Sequence, residues 1–167
     1  MTARMTRRAA IAAAALAMVG SIGSAGAAVA SDFSVQFPAG TACAFPLRVD
    51  GTGGHRIEHT FTDKDGTMRV LSTGTGSALT FTNESTGATV SLRSNGAVQR
   101  TTSLADGSSL NVLTGHNVLF LFPTDVPAGP STTLHTGQVV FNATPSGDFT
   151  VLATQGTSRD LCAELTG

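Results

Sequence analysis

The chain has 167 residues, a formal charge of −1 and two cysteines, and its nine Phe residues are its only aromatic ones apart from four His. A slightly acidic chain without Trp or Tyr is not expected to bind nucleic acid, which needs basic patches and stacking rings. The same lack argues against a sugar-stacking platform, because such surfaces depend on rings that carry a polar handle.

The first thirty residues have the pattern of an export signal. Arg4, Arg7 and Arg8 precede the apolar run from Ala9 to Val19, which is too short for a membrane span. Small residues follow this run. Cleavage is predicted after Ala30, and a site three residues earlier, after Ala27, fits nearly as well. The sequence therefore indicates a secreted or cell-envelope protein with no membrane span in its mature form.

Removal of the signal changes the charge of the protein. Without the three arginines of the signal, 7 of the 10 basic residues remain, against 11 acidic ones. Residues 31–167 therefore carry a formal charge of −4. We divide the chain into a signal peptide (1–30), a lead-in (31–42) and one domain (43–167), which is long enough to bury a core.

The domain is predicted to be all-β. No window of a dozen residues keeps a helical apolar period, whereas short β-branched and Phe-containing runs recur between Gly, Asp and Asn turns. This spacing is typical of an antiparallel β-sandwich, immunoglobulin-like or related, with a barrel as the alternative. Cys43 and Cys162 stand near the ends of the domain, and as the only cysteines of an exported chain they are predicted to form one long-range disulfide.

Side-chain parity predicts three hairpins. The first has its loop at residues 51–55 and directs apolar pairs inward and ion pairs outward. It would set Phe45 opposite Phe61, Leu47 opposite His59, Val49 opposite Ile57, Arg48 opposite Glu58, and Asp50 opposite Arg56. The second turns at 63–66, with Phe61 against Met68 and His59 against Val70, and the third turns at 84–87, with Phe81 against Val90 and Leu79 against Leu92.

Residues 55–59, His-Arg-Ile-Glu-His, match a zinc-peptidase motif that works only on a helix. On a strand the two histidines are about 13 Å apart, and Glu58 faces away from His59. Because the flanking residues favour a strand, we interpret His59 as a core residue between Ile57 and Phe61, and we predict no metal site. Residues 63–66 begin like a calcium loop, but the later ligands are missing and a hairpin turn is expected. No cofactor is predicted.

The segment from His116 to Thr133 differs from the rest of the domain. Residues 118–122 are apolar on both strand faces, and the loop that follows contains three prolines between residues 123 and 130. Such a strand is either covered on both sides or presents an apolar face to a partner. The candidate binding edge consists of Leu119, Leu121, Asp125 and Pro127. The alternative is a buried central strand followed by a crossover between sheets.

Three segments give the chain a resemblance to small exported all-β proteins of actinobacteria. They are Cys43-Ala44-Phe45, residues 82–87 (Thr-Asn-Glu-Ser-Thr-Gly) and residues 160–165 (Asp-Leu-Cys-Ala-Glu-Leu). These motifs are structural, and the resemblance implies no activity. In composition and export alone, the chain is also similar to neocarzinostatin-type carriers of small apolar metabolites.

Three functions follow as hypotheses. The first is a non-enzymatic secreted or envelope-associated binding protein, whose partner could be a protein or a small apolar ligand, because no nucleophile, metal shell or cofactor cradle is assembled in the sequence. The second is a carrier of a small apolar ligand, which predicts a Phe-lined cavity. The third is a hydrolase with an unrecognised site, for which His116 and Asp125 are the nearest pair.

Overall fold

The computed structural model describes residues 33–167, so the predicted signal peptide and cleavage site lie outside the described residues. This part of the chain forms ten strands and one short helix. They are β1 (Phe33–Phe37), β2 (Leu47–Thr52), β3 (His55–Thr62), β4 (Met68–Thr75), β5 (Ala78–Asn83), β6 (Thr89–Leu92), β7 (Gly96–Ser103), β8 (Ser109–Leu121), β9 (Ser131–Ala143), β10 (Phe149–Asp160) and α1 (Leu161–Glu164).

The strands form two antiparallel sheets, as the sequence predicts. A four-stranded sheet has the order β1-β2-β5-β6, and a six-stranded sheet has the order β10-β9-β8-β7-β4-β3. Within residues 33–167 neither sheet closes on itself, so the β-sandwich prediction is confirmed and the barrel alternative is wrong.

A row of glycines runs across the six-stranded sheet. Gly115 on β8 is paired with Gly137 on β9, which is paired with Gly156 on β10, and on the other side the row continues through Ala97 to Gly74. All four glycines have a positive φ. A Cβ built on Gly137 would lie 2.1 Å from the carbonyl oxygen of Gln155, so the backbones approach too closely for a side chain. We call these four residues the glycine row.

The six-stranded sheet folds back on itself at the glycine row. A straight strand with the length of β8 would span about 40 Å. Yet the carboxyl group of Asp125, just after β8, accepts hydrogen bonds from the backbone N–H of both Phe122 and Phe149. Phe149 is paired with Ala143, which is paired with Ser109 at the other end of β8. The two ends of β8 are therefore brought close together, and the bend must occur between them.

The glycine row divides the six-stranded sheet into two segments. The inner segment contains residues 116–121, 131–136 and 157–160, and the outer segment contains residues 55–62, 68–73, 98–103, 109–114, 138–143 and 149–155. One core lies between the four-stranded sheet and the inner segment and includes Leu47, Phe81 and Leu134, with Val118 and Phe120 against them. The second core contains Leu119 and Leu121 of the inner segment. Their partners are on the outer segment: Leu113, Val139, Phe141, Phe149 and Val151.

The predicted disulfide is confirmed. Cys43 and Cys162 are bonded with their Cα atoms 5.6 Å apart. Cys43 is fully buried in the β1–β2 connection, and Cys162 lies on α1, whose N-cap Asp160 accepts a hydrogen bond from Ala163 N. The disulfide thus ties the first connection of the domain to its C-terminal helix.

The first predicted hairpin is wrong. β2 is paired with β1 and β5, so Phe45, Leu47 and Val49 are not opposite Phe61, His59 and Ile57. The physical reason is that the predicted lead-in contains strand β1, which takes one edge of β2, while β3 enters the other sheet beside β4. Arg48 pairs with Asp50 on its own strand, at 3.0 Å, and not with Glu58.

The other two hairpins are present. The β3–β4 register differs by one residue from the prediction, with Phe61 opposite Arg69 and His59 opposite Leu71. Asp63 N donates to Thr67 O, so the loop has three residues where the prediction required an even number. The β5–β6 hairpin has the predicted pairs Phe81–Val90 and Leu79–Leu92.

Candidate functional site

The zinc-peptidase motif lies on strand β3, as expected. Every residue from His55 to Thr62 is exposed, so the prediction that His59 points into the core is wrong. The reason is that β3 is an edge strand and that His59, opposite Leu71, lies on the face of the six-stranded sheet that is directed away from the second core. Among residues 33–167 there is no cluster of three or more His, Cys, Asp or Glu side chains that could hold a metal ion.

The strand of the candidate binding edge is covered on both sides. Leu119 is 5% exposed and Leu121 is 9% exposed, and both belong to the second core. Val118 and Phe120 pack on the first core. This strand is apolar on both faces because the inner segment lies between the four-stranded sheet and the outer segment.

The proline-containing loop after β8 closes the second core. Asp125 is 3% exposed, and its carboxylate accepts hydrogen bonds from the backbone N–H groups of Phe122 and Phe149. Val126 forms an isolated parallel bridge with Thr150. Pro127 is exposed and follows a cis peptide bond. Asp125 therefore holds the folded sheet closed, which is a structural role.

The structure does not bring His116 and Asp125 together as a catalytic pair. His116 is exposed on the face of β8 that carries Val118 and Phe120, whereas Asp125 closes the opposite face. Both carboxylate oxygens of Asp125 accept backbone hydrogen bonds. The hydrogen-bond partners of this carboxylate in the described part of the chain are therefore backbone groups, and His116 is not one of them.

His135 lies beside a small cavity at the β10 edge. Residues 154–158 form the rest of the lining, and the space has a volume of only about 40 Å³. Burial lowers the pKa of His135, because the imidazolium form loses hydration there. The cavity is far below the several hundred cubic ångströms of a typical small-molecule site.

Seven of the nine Phe residues belong to the two cores. Phe37 stacks on Phe120 with ring centroids 5.2 Å apart, and Phe141 packs against Phe149 at 4.7 Å. Rings in mutual contact leave no room between them for a ligand, so this packing does not favour the carrier hypothesis.

The outer segment has one face directed away from the inner segment, which we call the outer face. Its apolar side chains belong to neither core, and all are at least partly exposed. Ile57 and Phe61 are the most exposed of them, at 48% and 52%. The set, read from the strand pairings, is Ile57, Phe61, Leu71, Val98, Leu110, Val112 and Val140.

The charges on the outer face are cationic. Arg69 and Arg100 lie on this face and are exposed. Among the strand residues of this face there is no carboxylate, and the nearest one is Asp63 at the turn, 2.6 Å from Arg69. The outer face is thus apolar and basic, although residues 31–167 as a whole are acidic.

The opposite face of the same strands is polar near β3. Arg56 donates to Ser72 Oγ at 3.0 Å and to Gln99 Oε1 at 3.1 Å. Gln99 and Thr101 in turn donate to Asn111 Oδ1. The two faces of the outer segment therefore differ in chemistry near β3, although Met68, at the start of β4, is exposed on the opposite face.

Sequence reasoning missed both the glycine row and the outer face. The row had a signal, because Gly74, Gly115, Gly137 and Gly156 each interrupt a strand-like run, which is where bends occur. The outer face had a weaker signal in the sequence. The alternation of apolar and polar residues along a strand shows that one face of the sheet is apolar, but it does not show whether another layer covers that face.

No family model, curated protein or solved structure matches the chain. Within residues 33–167 no helix is long and apolar enough to cross a membrane.

Proposed function

We propose that this chain is a secreted, envelope-associated binding protein without catalytic activity, and that its outer face binds an anionic lipid surface. The observation that carries the proposal is the outer face itself, a layer of apolar side chains that belong to neither core and lie among exposed arginines. The export signal pattern and the disulfide support a location outside the cytoplasm.

Two features favour binding of the outer face to a lipid surface over its packing against the outer face of a second copy of the chain. Two outer faces packed together would bring the arginines of both copies into one interface whose strand residues carry no carboxylate, and like charges in an interface oppose association. A layer of anionic headgroups would pair with Arg100, and with Arg69 in competition with Asp63, and would let Ile57 and Phe61 reach the acyl boundary.

Vesicle binding tests the proposal on the mature protein. We expect the protein to sediment with vesicles of phosphatidylglycerol and much less with vesicles of phosphatidylcholine, and added salt should weaken the binding. Arg100→Glu removes one favourable charge and adds a repulsive one, so it should lower the vesicle partition coefficient about tenfold or more.

Arg93→Glu is the matched control for the charge change. Arg93 is exposed in the β6–β7 connection, outside the outer face, so this variant should bind like the original protein. Equal losses in both variants would indicate only a net-charge effect. Absence of binding to phosphatidylglycerol vesicles would overturn the proposal.

A further inference from the structure

We propose that strand β3 pairs with β3 of a second copy of this chain, in antiparallel orientation, to form a dimer with one continuous sheet. The inference rests on the edge of the sheet and does not depend on what the outer face binds. Such an edge presents unpaired backbone N–H and C=O groups and is a template for strand addition unless the protein blocks it.

The backbone of β3 has its free hydrogen-bonding groups at the even-numbered residues. Asp63 N donates to Thr67 O, and hydrogen-bonded pairs alternate along an antiparallel ladder. The odd-numbered residues of β3 therefore bond to β4, while residues such as Glu58 and Thr60 direct their N–H and C=O groups to the open edge.

The two edges of the six-stranded sheet are protected differently. β10 has a register shift between Val151 and Ala153 and is bent at Gly156, and both features discourage strand addition. β3 is paired with β4 without a shift and contains no proline. The one long cation on β3, Arg56, reaches back over the sheet to Ser72 and Gln99, so it does not cover the edge.

The side chains of β3 are self-complementary about His59. Antiparallel pairing centred on His59 sets Ile57 of each copy beside Phe61 of the other, so the two most exposed apolar residues of the strand gain a cross-strand contact. The same register pairs the full strand and opposes no like charges at Arg56 or Glu58. Centring on Glu58 would oppose two carboxylates, and centring on Ile57 would leave Phe61 beyond the paired residues.

Sedimentation equilibrium across micromolar to millimolar concentrations tests the dimer. Thr60→Pro removes an N–H from the open edge and none from the β4 ladder, so the hairpin is retained while each copy loses one bond to the other. We expect the dimer dissociation constant to rise about tenfold or more in this variant. Thr60→Val keeps the N–H and should dimerise like the original protein. A chain that stays monomeric throughout, or an unaffected Thr60→Pro variant, would overturn the proposal.

Cysteine cross-linking tests the register independently of the proline variant. His59→Cys should form an intermolecular disulfide on mild oxidation, because residues at the two-fold axis of a non-hydrogen-bonded pair have Cα atoms about 4.5 Å apart. Ile57→Cys places its thiols about 13 Å apart in this register and should remain monomeric. Efficient cross-linking of Ile57→Cys with none at His59→Cys would contradict the proposed pairing.

Discussion

Gly115 on β8 lies directly opposite Gly137 on β9, and both have a positive φ, 101° and 136°. This pair stands at the centre of the glycine row, where the six-stranded sheet bends. The bend lets one sheet serve as two layers, so that the second core forms between segments of the same strands. A side chain at either position would clash with facing backbone, because a Cβ on Gly137 would lie 2.1 Å from Gln155 O and one on Gly115 would lie 2.6 Å from Gly96 O.

Gly137→Ala should strongly destabilise the protein. The added Cβ would lie 2.1 Å from Gln155 O at a φ that L residues rarely adopt, so we expect a loss of at least about 1–3 kcal/mol in the free energy of unfolding, measured by urea titration. Gly147→Ala is the control, because its φ is 88° but no atom lies within 4 Å of its Cβ position. Equal losses in the two variants would show that backbone strain alone, and not the close approach, matters.

Reduction of the Cys43–Cys162 disulfide should lower stability. The bond closes a loop of 119 residues, which corresponds to about 4–5 kcal/mol in the chain-entropy model. Urea unfolding of oxidised and reduced protein, with complete reduction verified by thiol titration, measures the difference. An unchanged midpoint would mean that the reduced chain is already compact or that the bond is not stabilising.

Leu121→Ser should unfold the second core. Leu121 is 9% exposed in the middle layer, so truncation to a polar residue should cost about 2–5 kcal/mol by analogy with other core truncations. Leu104→Ser is the matched control, because Leu104 is 41% exposed, and its melting temperature should change little. A stable Leu121→Ser variant that lost affinity for phosphatidylglycerol vesicles would restore the earlier interpretation of this strand as a binding edge.

The sequence predicts local pairing better than it predicts the long-range arrangement. The Phe81–Val90 hairpin and the Cys43–Cys162 bond follow from turn chemistry and from the only available thiol pair. The strands that pair with Val49 do not follow from local sequence. The alternation of its side chains allows β2 to pair with β3 as well as with the observed strands β1 and β5. Whether His59 is buried depends on whether another layer covers its face of the sheet, and no local pattern encodes that.

Asp125→Asn tests the carboxylate that closes the folded sheet. An amide offers one acceptor oxygen, so either Phe122 N–H or Phe149 N–H would face an NH₂ group and lose its partner. A buried unsatisfied donor costs about 1–3 kcal/mol, which should appear in the free energy of unfolding.

Asp106→Asn is the control for loss of a carboxylate. Asp106 accepts hydrogen bonds from the backbone N–H and the hydroxyl of Ser108, but in an exposed turn where water can replace the lost bond. Its loss of stability should therefore be smaller than that of Asp125→Asn. If the two variants lost equal stability, the buried bridge would have no special role.

The burial of His135 should make stability depend on pH below neutrality. Burial lowers the pKa of His135 below its ordinary value of 6.5, so in the window beneath 6.5 the unfolded chain binds more protons than the folded one. The contribution of His135 to stability is therefore complete above that value and decreases as the pH falls through the window.

The carboxyl groups whose pKa values are lowered, such as Asp50 and Glu164, change the stability of the protein at lower pH, since their ordinary pKa values are 3.8 and 4.5. Melting temperatures measured between pH 7.5 and 5 should thus decline less in His135→Gln than in the original protein. An unchanged slope in His135→Gln would mean that the imidazole is as well hydrated in the folded state as in the unfolded chain.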